Sequence, residues 1–364
     1  IGTYTAETFK EMEQNNPEKL TDNNRAYICY DMDNRTIHED ARGNSSIYMC
    51  KDVTIAAIVV EEAKEDTTFE MKSVGDAFNV VVLSGFENGK NAIVQNLAIG
   101  IELNLSLPAV KTNNLTVYNN AKLNVDKLES LNDLYLYNNG CLSSEKEFTV
   151  SCSTVKTQYG AIVSAPGVEL DVEGNIDFVS GAKSFVKSLS GKKLTVSQTS
   201  DLSTDTLGNL GDIEVVRGGN MTVSGEASIS SGAVTIASSQ VSAPGIEVEA
   251  SGNVTIESGS KSCFKSLGGK NLTISRNSKL STDTLDDFSD MEIQNSSNLT
   301  AGGESSISCG AIKVDSGSVV SVPGAEVSAD GDIIVQSGSQ GCLKSLSGKN
   351  LTVQSGADLT LDTL

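Results

Sequence analysis

The fold that this sequence predicts is all-β, a parallel β-solenoid of about 20-residue coils arranged in 78 to 79-residue long repeats, opened by a short N-terminal helical cap. Three observations carry the prediction. The first is internal repetition: KSLSGKKLTVSQTSDLSTDTL at 187–207 returns as KSLGGKNLTISRNSKLSTDTL at 265–285 and as KSLSGKNLTVQSGADLTLDTL at 344–364. The blocks VSAPGVELDVEGNIDF from Val163, VSAPGIEVEASGNVTI from Val241 and VSVPGAEVSADGDIIV from Val320 keep the same spacing. The second is a shorter period inside the long one. Strand-like cores begin at Leu194, Ile213, Val234, Val254 and Leu272. They recur at about 20 residues, too short for a sandwich domain and suited to one solenoid turn. The third is composition. With 33 Gly, no Trp and 5% aromatic residues, the chain lacks the side chains of one deep core and suits thin β-layers joined by tight turns.

Taken in chain order, residues 1–50 hold the cap and the first irregular coils. Thr5 caps a helix from Ala6 to about Gln14, with Phe9 and Met12 on one face and Pro17 beyond its end, placed to cover an exposed sheet edge. Residues 51–128 form a degenerate first long repeat. There TNNLTVYNNAKLNVDKL from Thr112 keeps register, so Leu115, Leu194, Leu272 and Leu351 are equivalent. Residues 129–207, 208–285 and 286–364 are the full copies, and residues 50–364 together make about sixteen coils of that length. Alternation sets the faces: Val254, Ile256, Leu272 and Ile274 point inward and Thr255 and Thr273 outward. Ser258-Gly259-Ser260 ends a core where glycine admits the positive φ of a sharp corner. Pro166, Pro244 and Pro323, each before Gly, mark a fixed turn. Phe185 and Phe264 read as core or corner fillers. Two long strands per coil and three shorter ones both fit a coil of this length. Leu364 closes a copy of the DTL block with no polar cap after it, an edge able to template another strand.

A formal charge of −20 and a pI near 4.4 exclude a phosphate-neutralising nucleic-acid binder. No run approaches the ~18 apolar residues of a membrane span. Among the 7 cysteines there is no C-x-x-C pair, so zinc and redox motifs find no support. Cys29 and Cys50 are separated by about one coil and are the candidate intrachain disulfide. Cys141, Cys152, Cys263, Cys309 and Cys342 are candidate unpaired or intersubunit thiols. Cys263 and Cys342 hold equivalent positions four coils apart, ~19 Å, beyond the ~7 Å reach of a disulfide. Asn-X-Ser/Thr sequons at Asn34, Asn44, Asn104, Asn114, Asn220, Asn253, Asn271, Asn295, Asn298 and Asn350 are candidate glycosylation sites.

No catalytic, metal or cofactor-binding set emerges. A solenoid that cleaves acidic polysaccharide needs carboxylates converging with Arg or Lys. His38 among Asp31, Asp33, Glu39 and Asp40 imitates such a cluster but reads as a solvated loop. No nucleophile elbow, phosphate loop or EF-hand pattern occurs. Thr195, Thr222, Thr235, Thr255, Thr273 and Thr352 suit half-exposed strands and form no paired ice-binding file. All 8 Tyr precede residue 160, so a glycan groove would belong to that part.

The coils and the opening TYTAETFKEMEQNN resemble the right-handed parallel β-helix and β-arch surface proteins of archaea and bacteria, adhesin-like proteins included. The chain is also similar, in its stacked β-arches, to the extracellular sheath proteins of filamentous methanogens. These resemblances imply an extracellular or cell-surface location and a non-enzymatic structural protein that associates with itself into a sheath, surface layer or fibre. The alternatives are an adhesin stalk or module binding cell-wall glycan and, behind it, a polysaccharide lyase or hydrolase.

Overall fold

The computed structural model describes residues 45–49, 68–73, 79–81, 92–100, 104–129 and 131–363, with side chains described from residue 106 onward, Pro108 excepted. These residues form an all-β parallel solenoid of about 13 turns with no helix among them; the sequence reading of about sixteen coils runs through stretches outside the described residues. The helical cap at 6–14 also lies outside them, as do Cys29, Cys50, His38, Asn34 and Asn44.

Two compact units divide the chain. One comprises Ile1–Gly174 with Ala182–Lys187, and the other Asn175–Gly181 with Ser188–Leu364. They are called the first and second units below. The coils are three-sided, with the sides either separate short strands or joined into one long bent strand such as Lys261–Ile274, which settles the choice between an arch and a three-sided coil. In the first unit one coil runs Cys141–Ser143, Phe148–Cys152 and Thr154–Thr157. In the second, Asn220–Val223, Ala227–Ser231 and Val234–Ala237 form the three sides. Each side stacks in parallel on its counterpart in the next coil: Asn220 lies opposite Gln240, Ala227 opposite Ile246 and Val234 opposite Val254.

The earliest pairings are irregular. Ser45 faces Phe69, Thr68 faces Asn96 and Asn79 faces Asn104, each a longer step along the chain than any that follows. From Asn104 the steps shorten and even out: Asn104 faces Lys122, Lys122 faces Cys141 and Cys141 faces Ile162. In the second unit Lys261, Lys279, Asn298, Val319, Gln340 and Asp358 stack in the same close succession. Three strands and three corners use up so short a step, which leaves nothing over for a loop leaving the coil.

The core follows the period-2 rule. Val254, Ile256, Leu272 and Ile274 are buried, while Thr255 and Thr273 point outward and are half-buried. Phe264 is buried as expected, but Phe185 is 41% exposed, a correction with a simple cause. In KSFVK, Phe185 takes the place that Cys263 takes in KSCFK, one position earlier than Phe264, and a shift of one reverses the side of the sheet on which a side chain stands.

The corner between the third and first sides is a tight turn. Asn119 and Asn120 have φ of 52° and 61°, and Ala121 N donates to Tyr118 O at 3.1 Å. Two left-handed residues closed by that bond make a type I′ turn, which accepts Asn and Gly with least strain. Ser258 (φ 61°) and Gly259 (φ 76°) repeat it where the Ser-Gly-Ser corner is expected. The Pro-Gly pairs instead sit in the bend from first to second side, where register slips between Ala243 and Glu247 and between Val322 and Glu326. Gly245 and Gly324 serve close approach there: a Cβ on Gly324 would stand 2.6 Å from Gly303 O.

Candidate functional site

The outer surface of the first side in the second unit is a continuous column of small side chains. Ser203, Thr222, Ser242, Cys263, Ser281, Thr300, Ser321, Cys342 and Thr360 are successive partners in register. They stand there because they are the odd members of strands whose even members fill the core. Cys263 and Cys342 are half-buried and four steps apart, and carry no disulfide. Cys263 is pushed up by burial and by nearby Asp283. Cys141, also half-buried and unbonded, lies in the first unit opposite Lys122. Cys152 and Cys309 point inward and are buried. Burial, with Asp133 and Asp171 nearby, pushes the Cys152 thiol up to about 12; burial and Asp290, Asp330 and Asp287 push Cys309 to about 11. Such thiols stay protonated and poorly nucleophilic near neutral pH.

At the second side the Pro-Gly blocks and the KSL blocks meet. Glu169 pairs with Lys187 at 2.9 Å in the first unit, and in the second Glu247 pairs with Lys265 at 2.7 Å and Glu326 with Lys344 at 2.8 Å. Thr149 Oγ1 donates to Glu169, and Ser228 Oγ to Glu247. The hydrogen bond from Lys265 holds the Glu247 carboxyl below the usual range. The sequence contains both blocks, and the signal for their pairing is the constant offset between that Glu and that Lys, one coil step.

The sequon asparagines are on outward positions of the strands or turns where their side chains are described. Asn220 donates to Asp201 at 2.8 Å, Asn271 to Asn253 at 3.0 Å and Asn350 to Asp332 at 2.7 Å. Asn295 sits exposed in a turn at φ 52°, and Asn114 and Asn298 are half-buried. For Asn104 only the backbone is described, within Asn104–Tyr118. Of the threonines, Thr235, Thr255 and Thr273 stack in one file on the third side, whereas Thr222 belongs to the first side.

Among the described residues, no group of three or more His, Cys, Asp or Glu is placed to hold a metal ion. Two apolar cavities among the described residues measure about 30 Å³ beneath Leu299, Ile312 and Val320 and about 10 Å³ beneath Val150, Val163 and Leu170, each with room for little more than a water. No helix of the described residues is long and apolar enough to cross a membrane. No protein-family profile, curated protein or solved structure matches this chain. Its chemistry is therefore read from its own surface: a regular file of hydroxyls and thiols, repeated ion pairs, and an apolar interior.

Proposed function

We propose that this chain is a secreted structural protein that associates with copies of itself into an extracellular sheath, surface layer or fibre. The observation that carries the reading is the outward column in which Cys263 and Cys342 stand four steps apart. At ~4.8 Å per step these thiols lie too far apart to bond each other, and small neighbours leave both open to a flat approaching surface. In the long repeats 208–285 and 286–364, read as four coils each, the outward cysteine returns after ~19 Å, while Phe185 holds that place in 129–207. A contact that one repeat makes with a neighbouring copy is then made again by the next, and multivalency turns weak contacts into a stable assembly. Crosslinking takes two thiols to a disulfide, with two electrons and two protons passing to dioxygen or a small disulfide.

Electron microscopy of native material before and after reduction, beside non-reducing gel electrophoresis, tests the reading. Ordered fibres, hoops or sheets loosened by reductant are expected. A chain that sediments as a monomer over a wide concentration range, with and without reductant, overturns it.

A further inference from the structure

On the first side of the first unit, two positions ahead of its own small polar file Asn124, Ser143 and Ser164, stands the column Lys122, Cys141, Ile162 and Lys183. Cys141 lies opposite Lys122, and Ile162 opposite Cys141. Lys183 N donates to Ala161 O, one coil beyond the bond from Ile162 N to Gly140 O. The two lysines thus stand three steps apart, about 14 Å. Phe185, two positions past Lys183 and so on the same side of the strand, is 41% exposed, and Ile162 is 37% exposed. Tyr159, in the left-handed turn leading into this side, is 58% exposed.

Beside Tyr159 run two rows of amides. Asn138 donates to Asn119 and Asn139 to Asn120, each at 3.1 Å, and Tyr159 O accepts the Asn139 N–H at 2.9 Å. Asn119 and Asn120 accept through Oδ1, while Asn138 and Asn139 each use one side-chain N–H in the row and keep a second for a ligand. Burial pushes the Cys141 thiol up, and the Lys122 ammonium opposes that shift. The carboxylates of this side, Asp126 and Glu145, stand at its far edge, two positions beyond Asn124 and Ser143. This side is thus apolar and cationic on a chain of net charge −20.

We propose that this surface binds an anionic polysaccharide. The ammonium groups of Lys122 and Lys183 meet the carboxylates or sulfates of acidic sugars. Tyr159 and Phe185 offer flat rings to the C–H faces of pyranose units, and the asparagine rows offer donors to ring hydroxyls. Lysine is depleted at the cores of protein–protein interfaces while aromatic residues are enriched, so aromatic residues set among lysines and amides suit a hydrated, charged polymer better than a protein surface. The binding does not depend on self-association of the chain.

Isothermal titration of the full chain with oligogalacturonate, and with a cello-oligosaccharide of equal length as the neutral probe, tests the assignment at low and physiological salt. The acidic oligomer is expected to bind and to weaken as salt rises. Tyr159→Ala and Phe185→Ala should each lower its affinity about fivefold or more, and Lys122→Glu with Lys183→Glu should abolish binding, while Lys261→Glu in the second unit leaves it unchanged. Unaltered circular dichroism of each variant separates lost binding from lost folding. Failure of both oligomers to bind, equal binding of the neutral one, or undiminished binding by the variants overturns the proposal. So does sedimentation showing that Phe185→Ala dissolves oligomers without changing sugar binding, which assigns the surface to a second copy.

Discussion

The corner that leads into the first side is built from alanine and glycine in the first unit and from serine in the second. Ala121, Gly140, Ala161 and Ala182 occupy it in the one; Ser200, Ser239, Ser260, Ser278, Ser297, Ser318 and Ser339, broken by Gly219 and followed by Ala357 in the last coil, occupy it in the other. Through Ser339 the position is closed to solvent in both: Ala161 and Ser278 alike are 0% exposed. The type I′ turn just before it aims the Cβ inward, so only a small residue fits. Serine adds a polar atom to that interior, and the neighbouring coils satisfy it. Ser239 N donates to Ser260 Oγ at 3.3 Å, Ser260 N to Ser278 Oγ at 3.2 Å, Ser278 N to Ser297 Oγ at 3.2 Å and Ser297 N to Ser318 Oγ at 3.3 Å. Ser260 Oγ in turn donates to Glu257 O at 2.5 Å. The first unit puts its polar rungs outside instead, in the asparagine rows. A buried hydroxyl is stable here because it belongs to a file, and a single one has no such partners.

The gap in the serine file gives the largest expected effect. A Cβ on Gly219 would run into Val196 O, so Gly219→Ser breaks the corner rather than completing the file. A loss of about 3 kcal/mol or more is expected from the backbone displacement, seen as a lower thermal midpoint; a stabilised variant would mean that the file, not the backbone, governs this corner.

Exchanging residues between the two regions comes next. Ser278→Ala leaves the Ser260 N–H without its acceptor and should cost about 1–3 kcal/mol, with faster hydrogen exchange at the Ser260 amide as the local readout. Ala161→Ser places a hydroxyl between Gly140 and Ala182 and should cost about 1–3 kcal/mol. If both exchanges are neutral, the file has no energetic role.

The smallest effect concerns the inward thiols, one in each unit. Because Cys152 and Cys309 titrate at about 12 and 11 when folded against an ordinary 9.0, the folded chain keeps protons that the unfolded chain gives up. Stability is therefore full below pH 9 and falls as pH rises toward 11, by about 1 kcal/mol per thiol at pH 10. Cys152→Ser and Cys309→Ser should each flatten that slope, as denaturation midpoints against pH would show.

Much of the fold was legible because the solenoid is written in local patterns. The alternation at Val254-Thr255-Ile256 assigned inside and outside, and the Ser-Gly-Ser corner at 258–260 announced its positive φ. The surface was less legible. Phe185 and Phe264 look equivalent by composition, yet an offset of one position sends the first to solvent and the second to the core. The Glu247–Lys265 pair joins two blocks that the sequence presents separately and that only the coil step brings together. The exposed patch around Tyr159 was foreshadowed only by the confinement of all 8 tyrosines to the stretch before residue 160, since the partners Lys183 and Phe185 arrive from the next coil.

The sequence by itself determined that this protein stacks short parallel coils with an apolar inside, because the period of two and the turn residues act within a few positions along the chain. Only the tertiary structure decided that each coil has three sides, that serine hydroxyls form a buried file, and that the column shared by Cys263 and Cys342 faces outward. Those outcomes depend on which residues lie one coil apart. That separation is not constant: it is shorter from Lys261 to Lys279 than from Val319 to Gln340, and it is set by how each corner closes over the core.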